Sequence, residues 1–195
     1  FDLPIAGGYG ATLTSKALTG KAMREEVLEA HRRQGLEPAP FCLQMLNALN
    51  FSPPLRGFLT GSIDLVFRAQ GRYWVVDYKS NRLGTRDESG VHSVPEDYAP
   101  DQLAMAMSEH HYHLQYHLYT VALDRYLRWR DPSYEYDTHF GGCLYLFLRG
   151  MAGHDTPQGE TGHSYGVFFH RPSQETIVSL SQCLHDPGFE SEGPT

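Results

Sequence analysis

Two aspartates and a lysine lie within a stretch that otherwise has the pattern of an apolar hairpin, "GSIDLVFRAQGRYWVVDYKSN". These residues are Asp64, Asp77 and Lys79. A charge in a strand that packs on a core is costly unless it is paired or hydrogen-bonded. Two carboxylates beside an ammonium group suit a divalent cation, and Mg²⁺ in particular binds a few carboxylates together with water and phosphate oxygens. The chemistry that this pattern suggests is metal-assisted attack on a phosphate ester.

The register of the hairpin follows from a two-residue turn at Gln70 and Gly71. The opposed pairs are Val66 with Val75, Asp64 with Asp77, and Ser62 with Lys79. Since side chains alternate along a strand, Asp64, Asp77 and Lys79 share one face. Opposed carboxylates lie about 5 Å apart and repel each other, so they require a compensating cation. Lys79 supplies one positive charge, and Mg²⁺ would supply the rest.

The opposite face of the hairpin is predicted to be a core surface. It carries Ile63, Leu65, Phe67, Trp74, Val76 and Tyr78. The structural alternative for the three charged residues is an exposed hairpin face whose charges meet water. The register and the apolar neighbours favour the metal-site hypothesis.

The bulk properties of the chain limit the class of protein. Its 195 residues suit one domain, 1–195, and its net charge of −7 argues against a protein that coats DNA through a positive field. Cys42, Cys143 and Cys183 form no C-x-x-C pair, which argues against a disulfide framework or a zinc knot and favours a reducing cytoplasm. The sequence shows no run of eighteen apolar residues and no signal-peptide pattern, so we expect no membrane contact.

Hydrophobic periodicity predicts a mixed α/β fold around one sheet. The "FDLPI" stretch predicts a strand, Gly20–Arg33 and Phe41–Leu49 predict helices, and a polar loop is expected from Arg82 to Tyr98. Two helices, or one bent helix, should follow and end before Pro132. Further along, the expected elements are a buried strand "CLYLFLRG" launched by Gly141-Gly142, a glycine-rich loop Gly150–Gly162, a strand "SYGVFF" and a helix from Pro172-Ser173 to His185. In the long helix, the predicted apolar stripe comprises Leu114, Leu118, Val121 and Ala122.

The blocks "GFLTGSIDLVF", "GRYWVVDYKSN", "HLQYHLYTVALDRYLRWR" and "YEYDTHFGGCLYLFLRG" together resemble a known family. They are similar to the PD-(D/E)xK nuclease superfamily, in the version found in the C-terminal nuclease domains of RecB (exodeoxyribonuclease V beta) subunits. The resemblance covers about Arg56 to Ile177. It implies a restriction-endonuclease-like fold, in which helices flank a mixed central sheet, and Mg²⁺-dependent hydrolysis of DNA.

The resemblance also implies roles for individual residues. Asp64 and Asp77 match the family's metal-binding carboxylates, the main-chain carbonyl of Tyr78 would be a further ligand, and Lys79 matches the catalytic lysine. Gln115 and Tyr119 match a Q-x-x-x-Y signature that touches DNA. Their i, i+4 spacing places both on one helical face. A partly buried helix face with hydrogen-bonding tips is the alternative for this pair.

One feature of the family has no counterpart in this sequence. The family's metal site also uses a histidine from a helix far upstream, and no histidine here occupies a matching position. We therefore expect a fragment of a larger helicase–nuclease subunit, with the N-terminal part of the domain missing. The stretch "GYGATLTSKALTGK" contains no G-x-x-x-x-G-K-[ST] motif for nucleotide binding.

The resemblance implies partners as well: DNA, the gamma and alpha subunits of exodeoxyribonuclease V, and the RecA recombinase, in double-strand-break repair and recombination. Two alternative functions remain open. One is a catalytically silent module that binds DNA or RecA. The other is a zinc hydrolase built on His113 and His117, whose i, i+4 spacing suits two ligands but lacks the further ligands that zinc requires.

Overall fold

The computed structural model describes residues 1–5, 20–33, 35, 37, 40–48, 57–88, 90–159, 162 and 164–184. The strands are β1 Asp2–Ile5, β2 Gly57–Thr60, β3 Leu65–Ala69, β4 Arg72–Lys79, β5 Thr85–Asp87, β6 Gly90–His92, β7 Phe140–Phe147 and β8 Val167–His170. The α-helices are α1 Gly20–Arg33, α2 Pro40–Ala48, α3 Pro100–Glu109, α4 Tyr112–Arg130, α5 Tyr136–His139 and α6 Gln174–Cys183. Short 3-10 turns cover Pro95–Tyr98, Leu148–Gly150 and Gly153–Asp155. None of the described helices is long and apolar enough to cross a membrane.

The chain divides into two compact units. The sheet unit comprises Ile63–Tyr112 and Thr138–Arg171, and the helical unit comprises Phe1–Ser62, His113–Asp137 and Pro172–Thr195. In the helical unit, α1 packs on α6 and α2, and β1 pairs antiparallel with β2. The Ser173 hydroxyl caps α6 by accepting a hydrogen bond from the Thr176 amide, as an N-cap serine should.

The sheet unit is built on a four-stranded mixed sheet of order β3-β4-β7-β8. The β3–β4 and β7–β8 pairs are antiparallel, whereas β4 and β7 are parallel. A parallel pair needs a long crossover connection, and here the chain between the two strands contains α3 and α4. Six of the eight residues of β7 are buried, and α3 lies against β8. The sheet confirms the predicted α/β fold class.

The predicted register of the first hairpin is confirmed from Leu65 to Ala69, whereas the predicted pairs Asp64 with Asp77 and Ser62 with Lys79 lie beyond the observed ladder. Val66 pairs with Val75, and the turn residues Gln70 and Gly71 both have positive φ, +50° and +77°. Positive φ at both central positions defines a type I′ turn, whose twist matches that of the flanking strands. The ladder ends at Leu65, however, so Asp64 lies just before β3 rather than inside it.

The predicted core surface on this hairpin is only partly right, and two of its members are exposed, Leu65 on β3 and Tyr78 on β4. Leu65 is 39% exposed and Tyr78 is 45% exposed, whereas Val76 on the same face is buried. For Leu65 the physical reason is that β3 forms one edge of the sheet, so little of the protein covers it.

The predicted loop Arg82–Tyr98 contains the short β5–β6 hairpin and a 3-10 turn. The helical stretch that follows it is broken in two, because His111 has a φ of +56° and no helix continues through that backbone. Gly141 and Gly142 lie inside β7 rather than before it, at a register shift against Tyr73 and Trp74. A Cβ on Gly141 would lie 2.4 Å from the indole of Trp74, which explains the glycine there.

The predicted apolar stripe of α4 is only partly right. Val121 and Ala122 are buried, but Leu114 and Leu118 are half-buried. The deepest positions include several residues with polar groups, namely His113, Tyr116, His117 and Thr120. The Thr120 hydroxyl donates to the Tyr116 carbonyl at 2.7 Å, so its polar group is satisfied within the helix. The structure confirms the expected strand "FDLPI", the two helices before the hairpin and the last helix. The predicted ends of two of these helices, Leu49 and His185, lie outside the described residues. Most of "GYGATLTSKALTGK" lies outside them as well.

Candidate active site

Asp77 and Lys79 are brought together at the carboxyl end of β4. Their side chains lie on the same face because they are two residues apart in a strand. The Lys79 ammonium lies 2.6 Å from Oδ2 of Asp77, and Asp77 is only 3% exposed. Position 77 is therefore an almost fully buried carboxylate whose countercharge is the lysine two residues on.

Asp64 approaches the same strand from the neighbouring chain segment. Its Oδ2 accepts a hydrogen bond from the backbone amide of Tyr78 at 2.9 Å. Tyr78 is the residue between Asp77 and Lys79, so this bond holds the Asp64 carboxylate against the same segment of β4. Asp64 is exposed, whereas Asp77 is buried. The two predicted carboxylates are thus associated with the same short segment of β4. Asp77 belongs to that segment and is buried, whereas Asp64 is bonded to it and is exposed to solvent.

The electrostatics of Asp77 reflect this burial. Loss of solvation raises the pKa of the Asp77 carboxyl above its ordinary value. Lys79 opposes that shift through its hydrogen bond and charge, while the negative charge of Asp64 reinforces it. A carboxylate in this position favours a further positive charge nearby.

Two tyrosines surround the Lys79 ammonium, and the sequence did not single out either of them. The ammonium lies 3.9 Å from the ring centroid of Tyr112 and 5.0 Å from that of Tyr145. Tyr145 is buried and pairs with Asp77 across the parallel β4–β7 ladder. Such cation–π contacts stabilise a charge that has little access to water. Together with Asp77 they fix the position of the lysine.

Asn81 connects this site to the segments around it. Its Oδ1 accepts from the hydroxyl of Tyr112 at 3.2 Å, and its Nδ2 lies 3.2 Å from Nε2 of His110. Its carbonyl accepts from the hydroxyl of Tyr98 at 3.1 Å. In the sequence, Tyr112 could have been noticed only through its position in "HHYH". Spacing alone does not show that it, rather than a neighbouring histidine, lies beside Lys79.

The donor set at Asp64 and Asp77 fits a divalent cation that prefers oxygen. Two carboxylates and one lysine leave a net negative charge, and Asp77 is held in a buried position. Among the described residues, no group of three or more His, Cys, Asp or Glu side chains is arranged to hold a metal ion. A cation here would therefore take its remaining ligands from carbonyl groups, water and substrate, which is the pattern that Mg²⁺ favours. The ligand role of the Tyr78 carbonyl stays a prediction.

Gln115 and Tyr119 lie in the helical unit, and their predicted common face is observed. The Gln115 amide donates to the Tyr119 hydroxyl at 2.8 Å, and Tyr119 is 7% exposed. That geometry agrees with the alternative of a partly buried face with hydrogen-bonding tips. The contact of this pair with DNA stays a prediction.

The zinc hypothesis finds no support at His113 and His117. Both rings are buried in the helical unit. Nδ1 of His113 lies 3.1 Å from the Tyr116 hydroxyl, and Nδ1 of His117 lies 2.6 Å from the His113 carbonyl. These histidines are hydrogen-bonded parts of a helix packing face.

The mixed sheet, with Asp77 and Lys79 on β4 and Asp64 bonded to the Tyr78 amide of that strand, defines a class of protein. A profile of the PD-(D/E)XK nuclease superfamily matches residues 7–162, and the chain belongs to that superfamily. Nucleases of this superfamily generally use divalent metal ions.

Individual relatives narrow the resemblance further. The chain is 39% identical to the RecBCD enzyme subunit RecB of Mycolicibacterium smegmatis over 187 residues, which is 94% of the chain and 16% of that protein. It is 52% identical to RecB of Escherichia coli over 137 residues, which is 68% of the chain and 10% of that protein. It is 48% identical to RecB of Haemophilus influenzae over 126 residues, which is 65% of the chain and 9% of that protein. The predicted resemblance to RecB nuclease domains is confirmed. The chain spans about one sixth of the length of the mycobacterial relative.

Proposed function

We propose that this chain is the Mg²⁺-dependent deoxyribonuclease domain of a RecBCD-type helicase–nuclease and hydrolyses DNA phosphodiester bonds. The observation that carries the proposal is the buried Asp77, paired with Lys79 and adjoined by Asp64 on the amide of Tyr78. Family membership supports nuclease chemistry, and similarity to RecB subunits supports DNA as the substrate.

The residues of the chain have distinct roles in this proposal. Asp64 and Asp77 hold the cation, which supplies Lewis acidity toward the scissile phosphate and the attacking water. Lys79 orients the water or stabilises the negative charge that develops on the phosphate, a point-charge role suited to an ammonium group. Gln115 and Tyr119 contact the DNA, as their match to the Q-x-x-x-Y signature suggests.

The cellular part of the proposal depends on the resemblance alone. By analogy with RecB subunits, the protein assembles with the gamma and alpha subunits of exodeoxyribonuclease V in the cytoplasm and acts in double-strand-break repair and recombination. RecA is the further proposed partner. Because the chain is acidic, we propose that DNA is delivered to it by the rest of the assembly rather than attracted from solution.

The test compares Asp77→Ala with the unchanged protein in the intact subunit that carries this chain, with linear DNA and Mg²⁺. We expect degradation to fall by at least about 10²–10³-fold, the size of effect seen when one electrostatic contact to a transition state is removed. Asp101→Ala is the matched control, since Asp101 is an exposed acid on α3. Near-normal degradation by Asp77→Ala would end the proposal and favour a catalytically silent module. Parallel assays with Mn²⁺, Ca²⁺ or a chelator in place of Mg²⁺ test the identity of the metal.

A further inference from the structure

The sheet unit contains a polar cavity close to the end of β4. It has a volume of about 320 Å³. It is lined by Arg82, Val91, Ser93, Val94, Pro95, Tyr98 and Arg149. The lining therefore combines two guanidinium groups with the apolar side chains of Val91, Val94 and Pro95.

The position of Arg149 ties this cavity to the candidate active site. Its Nε donates to the carbonyl of Ser80 at 3.0 Å, one residue after Lys79. Neither Arg149 nor Arg82 forms an ion pair with an acid in the part of the chain that the structure describes. The terminal nitrogens of Arg149 are therefore available to an anion, while its Nε anchors the side chain.

The walls of the cavity are held in place by Tyr98. This buried tyrosine accepts a hydrogen bond from the Leu83 amide at 3.3 Å and donates to the Asn81 carbonyl at 3.1 Å. Those two bonds fix the backbone on both sides of Arg82. Gly150 permits the close approach, since a Cβ there would lie 2.4 Å from that of Tyr98. An arrangement fixed in this way needs little reorganisation when a ligand binds.

We propose that Arg82 and Arg149 bind a backbone phosphate of the DNA strand, next to the phosphate that is cleaved at Asp64, Asp77 and Lys79. Guanidinium groups match the geometry of phosphate oxygens and form strong, charge-assisted hydrogen bonds with them. The apolar side chains in the lining suit the sugar that flanks such a phosphate. This inference rests on the proposed function, because it takes DNA as the substrate.

The test measures binding rather than cleavage, so it does not depend on catalysis. A short fluorescent single-stranded oligonucleotide is titrated with the 195-residue chain in the presence of a chelator, over a series of salt concentrations. Loss of one phosphate contact should lower the slope of log Kd against log salt by about 0.7 for single-stranded DNA. We expect Arg82→Ala and Arg149→Ala each to show that change, with roughly tenfold weaker binding at low salt.

Arg68→Ala is the matched control, because it removes one positive charge from the same unit. The Arg68 guanidinium lies 5.3 Å from the ring centroid of Tyr73, near the turn of the β3–β4 hairpin. We expect its salt slope to equal that of the unchanged chain. The Arg82 side chain makes no hydrogen bond within the described part of the structure. Arg82→Ala therefore separates phosphate binding from the contact that Arg149 makes with Ser80.

The outcomes distinguish this inference from the proposed function. Unchanged salt slopes for both arginine variants would overturn the inference, and if Asp77→Ala still abolished cleavage the proposed function would stand. Reduced slopes combined with normal cleavage by Asp77→Ala would support the phosphate site and overturn the catalytic proposal. A slope change of equal size in Arg68→Ala would also overturn the inference, because it would show a general charge effect.

Discussion

Nζ of Lys79 lies 2.6 Å from Oδ2 of Asp77, and each side chain retains little exposure to solvent. The lysine is thus the resident countercharge of a buried carboxylate. Breaking such a pair by removing one partner leaves the other charge buried and uncompensated, which is strongly destabilising. This relationship gives Lys79 a role in the stability of the protein in addition to its proposed role in catalysis.

We therefore expect Lys79→Met to lower the free energy of unfolding by about 3 kcal/mol when no metal is present. Added Mg²⁺ should raise the melting temperature of this variant more than that of the unchanged chain, because the cation takes over as countercharge of Asp77. Thermal unfolding with and without Mg²⁺ measures both effects. Lys21→Met, at an exposed lysine of α1, is the control. An equal response to Mg²⁺ in both proteins would contradict the shared-countercharge interpretation.

The ring of Tyr112 should matter more than its hydroxyl. Tyr112→Phe keeps an aromatic face beside Lys79 and loses only the bond to Asn81, whereas Tyr112→Leu loses both. A cation–π contact with a desolvated ammonium is worth about 2 kcal/mol, so we expect kcat to fall at least about tenfold in Tyr112→Leu. KM should change little, and Tyr112→Phe should recover most of the rate. Steady-state kinetics on DNA give the comparison, and equal losses in both variants would assign the effect to the hydroxyl.

Gly150→Ala should destabilise the sheet unit. The added methyl would meet the Cβ and ring of Tyr98, and overpacking of this kind costs about 1–3 kcal/mol. Gly71→Asn is the control, since nothing lies within 4 Å of a Cβ at that turn and asparagine tolerates positive φ. Denaturant unfolding should show a lower midpoint for Gly150→Ala and a small change for Gly71→Asn. Full stability of Gly150→Ala would show that Tyr98 can move away without loss.

His170 should make stability depend on pH below neutrality. Burial lowers the pKa of His170 to about 4 in the folded chain, against about 6.5 when it is unfolded. Between those values the unfolded state binds a proton that the folded state does not. The contribution of His170 is therefore fully present above about pH 6.5 and is lost as the pH falls toward about 4, by up to about 3 kcal/mol.

The measurement is the free energy of unfolding across that pH range for the unchanged chain and for His170→Gln. We expect a shallower pH dependence in the variant, because glutamine does not titrate. His154→Gln, at an exposed histidine, should keep the full dependence. Parallel curves for the unchanged chain and His170→Gln would refute the assignment.

Local sequence signals predicted the parts of the fold that local physics determines. The Gln70-Gly71 turn and the alternation on either side of it specify the hairpin register, which the structure confirms through Val66 and Val75. The i, i+4 spacing of Gln115 and Tyr119 likewise gave their common face. Local signals do not predict which strands are neighbours in the sheet, because that order depends on contacts between residues far apart in sequence. The exposure of Leu65 could not be predicted, since nothing local marks β3 as an edge.

The candidate site, like the fold, could be predicted only where a local sequence pattern marks its residues. Asp64, Asp77 and Lys79 could be identified because charges at those positions break the apolar pattern. Tyr145 could not be identified, because a tyrosine in the buried run "CLYLFLRG" has the pattern of an ordinary core residue. Its place beside Lys79 follows from the parallel pairing of β7 with β4, which joins positions almost seventy residues apart. Long-range pairing of this kind is invisible to periodicity.

The edge position of β3 has a practical consequence for solubility. An edge strand offers unpaired backbone N–H and C=O groups on which another chain can add a strand, and charged side chains discourage that addition. Asp64 and Arg68 are the charges along this edge. A substitution such as Asp64→Val would remove the proposed metal ligand and, at the same time, a charge that discourages self-association. Asp64→Asn keeps a polar side chain at the edge, so it is the variant in which lost cleavage can be attributed to the metal site rather than to self-association.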